Sequence, residues 1–249
     1  MGKTHEALQR AEEEYRENIL GAVRETEPKK VEPPPRQTSN KADIEWYEGL
    51  KTNLLSRYPN GAIRTILFNG TVHGGGCSTT AINFATTLAK DSKLNVLLID
   101  VNLRTPGLHE AFKIDKADGI TDLVSNRTKM ACQIKQVERG NLHVVTCGGS
   151  SLFGPVGLFE SSEFDQFLKG AREKFDYVIL DAPPVPIFSE CRILCTKVDG
   201  VILVLEAGRT RRQVAIRAKR TLEEAGAKLL GVVINKRKLY IPEWIYKRL

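Results

Sequence analysis

A glycine-rich run, Gly70-Thr71-Val72-His73-Gly74-Gly75-Gly76-Cys77-Ser78-Thr79-Thr80, separates the apolar segment TILFN from a helix-like stretch, AINFATTLA. Glycines between a buried strand and a helix let successive backbone N–H groups wrap an anion, and the helix N-terminus adds partial positive charge. Two carboxylates occupy comparable places, Asp100 at the end of NVLLID and Asp181 at the end of DYVILD. A carboxylate there is expensive to bury unless it meets a metal, a hydrogen-bond donor or a cation. Such an acid, with a hydroxyl in the position of Ser78, is how phosphate-loop proteins hold the water shell of Mg2+. Singly, the glycines could form a plain tight turn and each Asp a helix cap. Together, at three strand ends, they point to nucleotide binding. The pattern GxxxxGK[ST] is nevertheless not met, because Thr71 stands for the first glycine and Cys77 for the lysine.

Six short segments would carry these groups: Thr65–Asn69, Asn95–Val101, Leu142–Thr146, Asp176–Asp181, Gly200–Glu206 and Leu229–Asn235. Most are continuous apolar runs, the mark of strands covered on both faces. Helix-sized spacers such as Ser78–Lys90, Ser162–Lys174 and Thr210–Ala225 lie between them. This alternation implies an α/β fold with a doubly wound, mostly parallel sheet, and a P-loop NTPase architecture with a deviant phosphate loop. Ligands of such sheets bind at the carboxyl ends of the strands, where the glycines and both acids fall.

The 249 residues, with 41% hydrophobic and 27% charged, exclude global disorder and low-complexity architectures. The net charge of +7 is concentrated, since residues 206–249 hold 12 basic against 4 acidic side chains. Residues 1–24 have the spacing of an amphipathic helix, and 25–42, with three consecutive prolines, form a linker. The P-loop domain spans 43–235, and 236–249 form a basic, aromatic tail whose composition suits docking on a partner or on the inner membrane surface. Five cysteines without paired-ligand spacing are expected to be free thiols. Cys191 and Cys195, one helical turn apart, read as core packing. No segment reaches the roughly 18 apolar residues of a membrane span, so the expected location is cytoplasmic and peripheral at the membrane.

Several segments resemble the bacterial tyrosine kinase family of capsule and exopolysaccharide synthesis, in its cytoplasmic CpsD/CapB type. They are IEWYEGLKTNL, GGGCSTTAINFATTLA, LLIDVNLRTPGLHEAF, SSEFDQFLKGAREKFDYVILDAPPV, DGVILVLEAGRT and LGVVINK, in the family's order. The resemblance implies ATP and Mg2+ as ligands and phosphoryl transfer to tyrosines of the C-terminal tail. It also implies partners: a transmembrane adaptor that regulates polysaccharide chain length, an active kinase paralogue, or further copies in a homo-oligomer. By position, Gly74, Gly75, Gly76, Ser78 and Thr79 would cradle phosphate and magnesium. Asp100 and position 102 would form the second acidic motif, Asp181 the third, and Asn235 would sit where related ATPases contact adenine.

The departures from the family pattern bear on activity. Cys77 lacks the ammonium that offsets phosphate charge. Asn102 replaces a second carboxylate and cannot act as a base, and Ala182 stands where the family has Thr or Ser. Glu45, Glu48 and Lys51 occupy an oligomerisation motif with one charge reversed, and only Tyr240 and Tyr246 remain as tail phosphoacceptors. Losing a comparable cation elsewhere costs on the order of 10³ in rate. The expectation is therefore a catalytically impaired pseudokinase that serves as a regulatory or scaffold partner, with nucleotide binding weakened or lost. One alternative is an active autokinase that borrows a cation such as Lys51 or Lys90. Another is a partition-type ATPase or a nucleic-acid module using Arg209, Arg211, Arg212, Arg217, Lys219 and Arg220, although no recognised nucleic-acid motif accompanies them. Cys77 itself reads either as an inert substitution or, at a helix N-terminus, as a thiol made reactive by a lowered pKa.

Overall fold

The computed structural model describes residues 41–59, 61–116, 119–122, 134–137, 141–149, 154–185 and 188–237. The expected N-terminal helix, most of the linker and all but two residues of the tail lie outside them, as do Tyr240 and Tyr246. The first described helix, α1, runs from Lys41 to Arg57 and so begins inside the span read as linker.

Seven strands form one sheet: β1 (Thr65–Gly70), β2 (Val96–Asp100), β3 (Lys135–Gln136), β4 (Leu142–Val145), β5 (Tyr177–Ala182), β6 (Gly200–Glu206) and β7 (Leu229–Asn235). Their order is β3-β4-β2-β5-β1-β6-β7, parallel throughout except for the antiparallel edge strand β3. Strands β1, β2 and β5 are buried at every position, which explains their unbroken apolar runs. Alternate residues face opposite layers: Leu67 joins one core and Ile66 and Phe68 the other.

One layer holds α1, α2 (Cys77–Ala89) and α3 (Leu108–Phe112), packed through Leu54, Phe84, Leu88 and Leu108. The other holds α4 (Gly154–Glu160), α5 (Ser162–Lys174), α6 (Glu190–Thr196) and α7 (Arg212–Glu224), packed through Phe159, Phe164, Leu194 and Leu222. Helix α5 starts at Ser161, whose hydroxyl accepts the Phe164 N–H, and carries Arg172 and Lys174 in its last turn, both favourable for the helix dipole. Cys191 and Cys195 are buried on α6, as expected of packing residues. No described helix is long and apolar enough to cross a membrane.

Candidate active site

The carboxyl ends of β1, β2 and β5 meet the N-terminus of α2. Parallel pairing sets Phe68 of β1 beside Asp181 of β5, and Asp181 beside Asp100 of β2, so the three expected strand ends are contiguous. The glycine loop leaves β1 and turns through left-handed backbone at Gly74 (φ 71°) and Gly76 (φ 86°). At Gly76 two constraints coincide. The φ favours glycine, and a Cβ there would lie 2.0 Å from Asn235 Nδ2.

The Gly75 N–H donates to Val72 O at 3.3 Å, and the Thr80 N–H and hydroxyl both bond Gly76 O. The N–H groups of Gly74, Gly76, Cys77, Ser78 and Thr79 donate to no described acceptor. Orphan amides at a loop-to-helix junction, aided by the helix dipole, form an anion cradle.

Cys77 is the first residue of α2, and its sulfur lies 4.0 Å from Ala182 O. Loss of water, then the neighbouring Asp181 carboxyl, raise its thiol well above the usual range. The lowered pKa considered for a reactive thiol is therefore reversed, because burial and a nearby acid outweigh the helix field. Position 77 is neutral, neither the cation of a working phosphate loop nor a thiolate.

The two acids differ in their surroundings. Asp100 is fully buried, yet accepts from the N–H groups of Asn102, Gly107 and Leu108, each at 3.1 Å. Burial pushes its carboxyl up to about 6 against the pull of those three bonds. Asp181 is 1% exposed, and neither of its oxygens has a hydrogen bond of normal geometry among the described residues. Burial and the Asp100 charge drive it up to about 8, offset in part by the facing Ser78 hydroxyl and Cys77 thiol.

An unpaired buried carboxylate facing a hydroxyl fits a hard divalent cation such as Mg2+, which binds oxygen ligands. Ser78 and Asp181 meet that description. Asp100 already holds three donors and acts first as the staple of the β2–α3 loop. No group of three or more His, Cys, Asp or Glu side chains suited to a metal occurs among the described residues.

Asn102 is turned inward on its own loop. Its Oδ1 accepts from the Thr105 N–H and its Nδ2 donates to Thr105 Oγ1. Asn235 reaches the phosphate loop itself, donating to Gly75 O at 3.4 Å and Gly76 O at 3.2 Å. Of the two borrowed cations considered, Lys90 caps the far end of α2, about 20 Å from the loop by helix rise. Lys51 lies on α1.

Two constellations went unseen in the sequence. Arg104 Nε, from the loop after β2, donates to buried Glu190 Oε1 at 3.0 Å and stacks on Phe188, tying that loop to α6. Arg209 and Lys236 reach the phosphate loop from the ends of β6 and β7. Arg209 donates to His73 O at 3.3 Å and Lys236 to Gly74 O at 2.6 Å.

Comparison with known proteins places this geometry among relatives. A family model described as AAA domain matches residues 63–213. Tyrosine-protein kinase YwqD of Bacillus subtilis is 31% identical over 195 residues, which are 78% of this chain and 81% of the relative. The crystal structure of the chimerical protein CapA2B2 superposes with a TM-score of 0.76 at 26% identity, covering 82% of this chain and 88% of that one. The septum site-determining protein MinD of Pyrococcus horikoshii, solved with Mg-ADP, superposes at 0.59 with 17% identity, covering 74% of this chain and 76% of that one, a likeness of fold alone.

Proposed function

From a chain that belongs to the bacterial tyrosine-protein kinase family of YwqD, CpsD and CapB, on an AAA-type domain, we propose a nucleotide-binding protein with impaired phosphoryl transfer. It acts as a regulatory or scaffold partner in capsule or exopolysaccharide synthesis. The observation that carries this reading is Cys77, a half-buried thiol held neutral beside Asp181 at the first residue of α2, where the family's loop has an ammonium.

Binding and transfer make different demands. Binding needs anion donors, and the free amides of Gly74, Gly76, Cys77, Ser78 and Thr79 supply them. Ser78 and Asp181 would hold Mg2+, which would supply positive charge to offset that of the phosphates. Transfer needs preorganised positive charge and a base for the attacking hydroxyl. Cys77 supplies no charge, and Asn102 has neither a carboxylate nor a free amide. Partners follow from the family: a transmembrane chain-length adaptor or an active paralogue, with self-association through the face of α1 that carries Glu45, Glu48 and Lys51. The protein would then work at the cytoplasmic face of the membrane.

Calorimetry with ATP and ADP, with and without Mg2+, followed by phosphotyrosine mass spectrometry, tests the proposal. Mg-dependent binding without phosphate on Tyr240 or Tyr246 supports it. Robust phosphate on either tyrosine overturns it in favour of an active autokinase, a second reading favoured by the two cations on the phosphate loop.

A further inference from the structure

Glu206 ends β6 and is largely buried, its side chain 13% exposed. Each of its oxygens takes one cation: Oε2 pairs with Arg209 at 3.1 Å and Oε1 with Lys236 at 3.3 Å. Each cation spends a further bond on the phosphate loop, Arg209 on His73 O and Lys236 on Gly74 O. The three side chains thus clamp two consecutive peptide units of the loop.

That arrangement has two physical effects. In a trans peptide the carbonyl and the following N–H point in opposite directions. No cis bond occurs among the described residues, so drawing His73 O toward Arg209 aims the Gly74 N–H away from that side chain and leaves it without a described acceptor. The second effect is charge. Two cations and one carboxylate leave a net of one positive charge against the loop, the charge that Cys77 fails to provide. Both cations also lie close to the glycine faces. A Cβ on Gly74 would be 3.9 Å from Arg209 Nη1, and one on Gly76 would be 3.8 Å from Lys236 Cε.

Lys236 is held there by backbone as well as side chain. It adopts φ 55°, which non-glycine residues seldom do, and its N–H donates to Asn235 Oδ1 at 2.8 Å. The same Asn235 donates to Gly75 O and Gly76 O. The end of β7 and the phosphate loop are therefore locked together at three successive glycine carbonyls.

We propose that the Glu206–Arg209–Lys236 clamp replaces the missing phosphate-loop lysine for nucleotide binding, with Lys236 as its principal positioning residue. The inference rests on the nucleotide-binding reading and deepens it. The clamp grips the loop through carbonyls rather than projecting into the cradle, so it sustains binding of a nucleoside diphosphate or triphosphate without restoring transfer.

The test measures Mg·ADP affinity of the full chain by calorimetry, with melting temperature as the control for folding. Lys236→Met keeps the aliphatic stem and removes the charge. Lys236 bonds the loop and not the nucleotide, so the loss expected is about tenfold in affinity, from one positive charge removed beside the loop. Lys236→Gly suits φ 55° and removes the ammonium without backbone strain, so it should lose as much while melting no lower than wild type. Lys236→Arg should retain most of the affinity. Cys77→Lys should raise affinity more in the Lys236→Met background than in wild type, a non-additivity that a purely structural role would not give. Wild-type affinity in both Lys236→Met and Lys236→Gly overturns the clamp and leaves the nucleotide reading standing. Absence of Mg·ADP binding by the wild type itself overturns both.

Discussion

Replacing Asp181 by Asn should make the protein more stable in alkaline buffer and less able to bind Mg·nucleotide. Asp181 is 1% exposed, carries no hydrogen bond of normal geometry among the described residues, and faces the Asp100 carboxyl on the neighbouring strand. Moving its carboxyl from 3.8 to about 8 disfavours the ionised folded protein by about 6 kcal/mol at most. Between about pH 4 and pH 8 the folded chain holds a proton that the unfolded chain has released. The stability contribution is therefore complete below the unfolded value and is lost as pH rises through the folded one. Asn stays neutral throughout, but buries an amide without a partner at a cost of about 1–3 kcal/mol. The net gain should be about 3 kcal/mol in alkaline buffer and should turn into a loss of about 1–3 kcal/mol in acid, where only the amide cost remains. For a chain of this size the alkaline gain corresponds to a rise of about 10 °C in melting temperature. Thermal melts of wild type and Asp181→Asn without Mg2+, at about pH 5 and about pH 9, test this directly. A variant that melts lower than wild type at the higher pH, or a difference that does not grow with pH, would refute the reasoning. A wild type stabilised by Mg·ADP beside a variant that is not completes the pattern.

Two further outcomes follow from the same surroundings. Cys77 should react with iodoacetamide at neutral pH much more slowly than free cysteine, because its thiol is held protonated by burial and by Asp181; peptide mass spectrometry of alkylated protein reads the rate, and parity with free cysteine would contradict it. Arg104→Met should destabilise the fold by about 2 kcal/mol, since it strands the buried Glu190 carboxyl whose second oxygen already lacks a partner, and Glu190→Gln in the same chain should recover most of the loss in urea titrations.

How much of this was legible beforehand depended on the range of the contacts involved. Strands β6 and β7 begin and end where their apolar runs do, and α5 where Ser161 caps it. Strand β6 is buried over most of its length, so its apolar run follows from burial on both faces, whereas β7 is the sheet's edge and keeps its apolar run with Val232 and Ile234 exposed. The two-residue edge strand β3 leaves no comparable pattern, and α1 hides because its outer face carries an exposed Trp46 while its inner face packs only through residues such as Leu50 and Leu54. In the site, the glycines and acids were visible because each lies directly after its own strand. Lys236 and Arg209 were not, because their bonds cross 162 and 136 residues of chain. A lysine in left-handed backbone is also a conformation that residue type alone does not announce. The capture of Asn102 by Thr105 is local, and an Asn three residues before a Thr in a loop could have suggested it.

If binding survives while transfer is impaired, restoring the missing charge and carboxylate should return transfer. Purified wild type and the double variant Cys77→Lys/Asn102→Asp would be incubated with Mg·ATP and an adaptor segment, and phosphate on Tyr240 and Tyr246 quantified by mass spectrometry. Phosphate is expected near background in the wild type, with a gain on the order of 10³ in the variant. Equal, robust phosphorylation of both proteins would contradict impaired transfer.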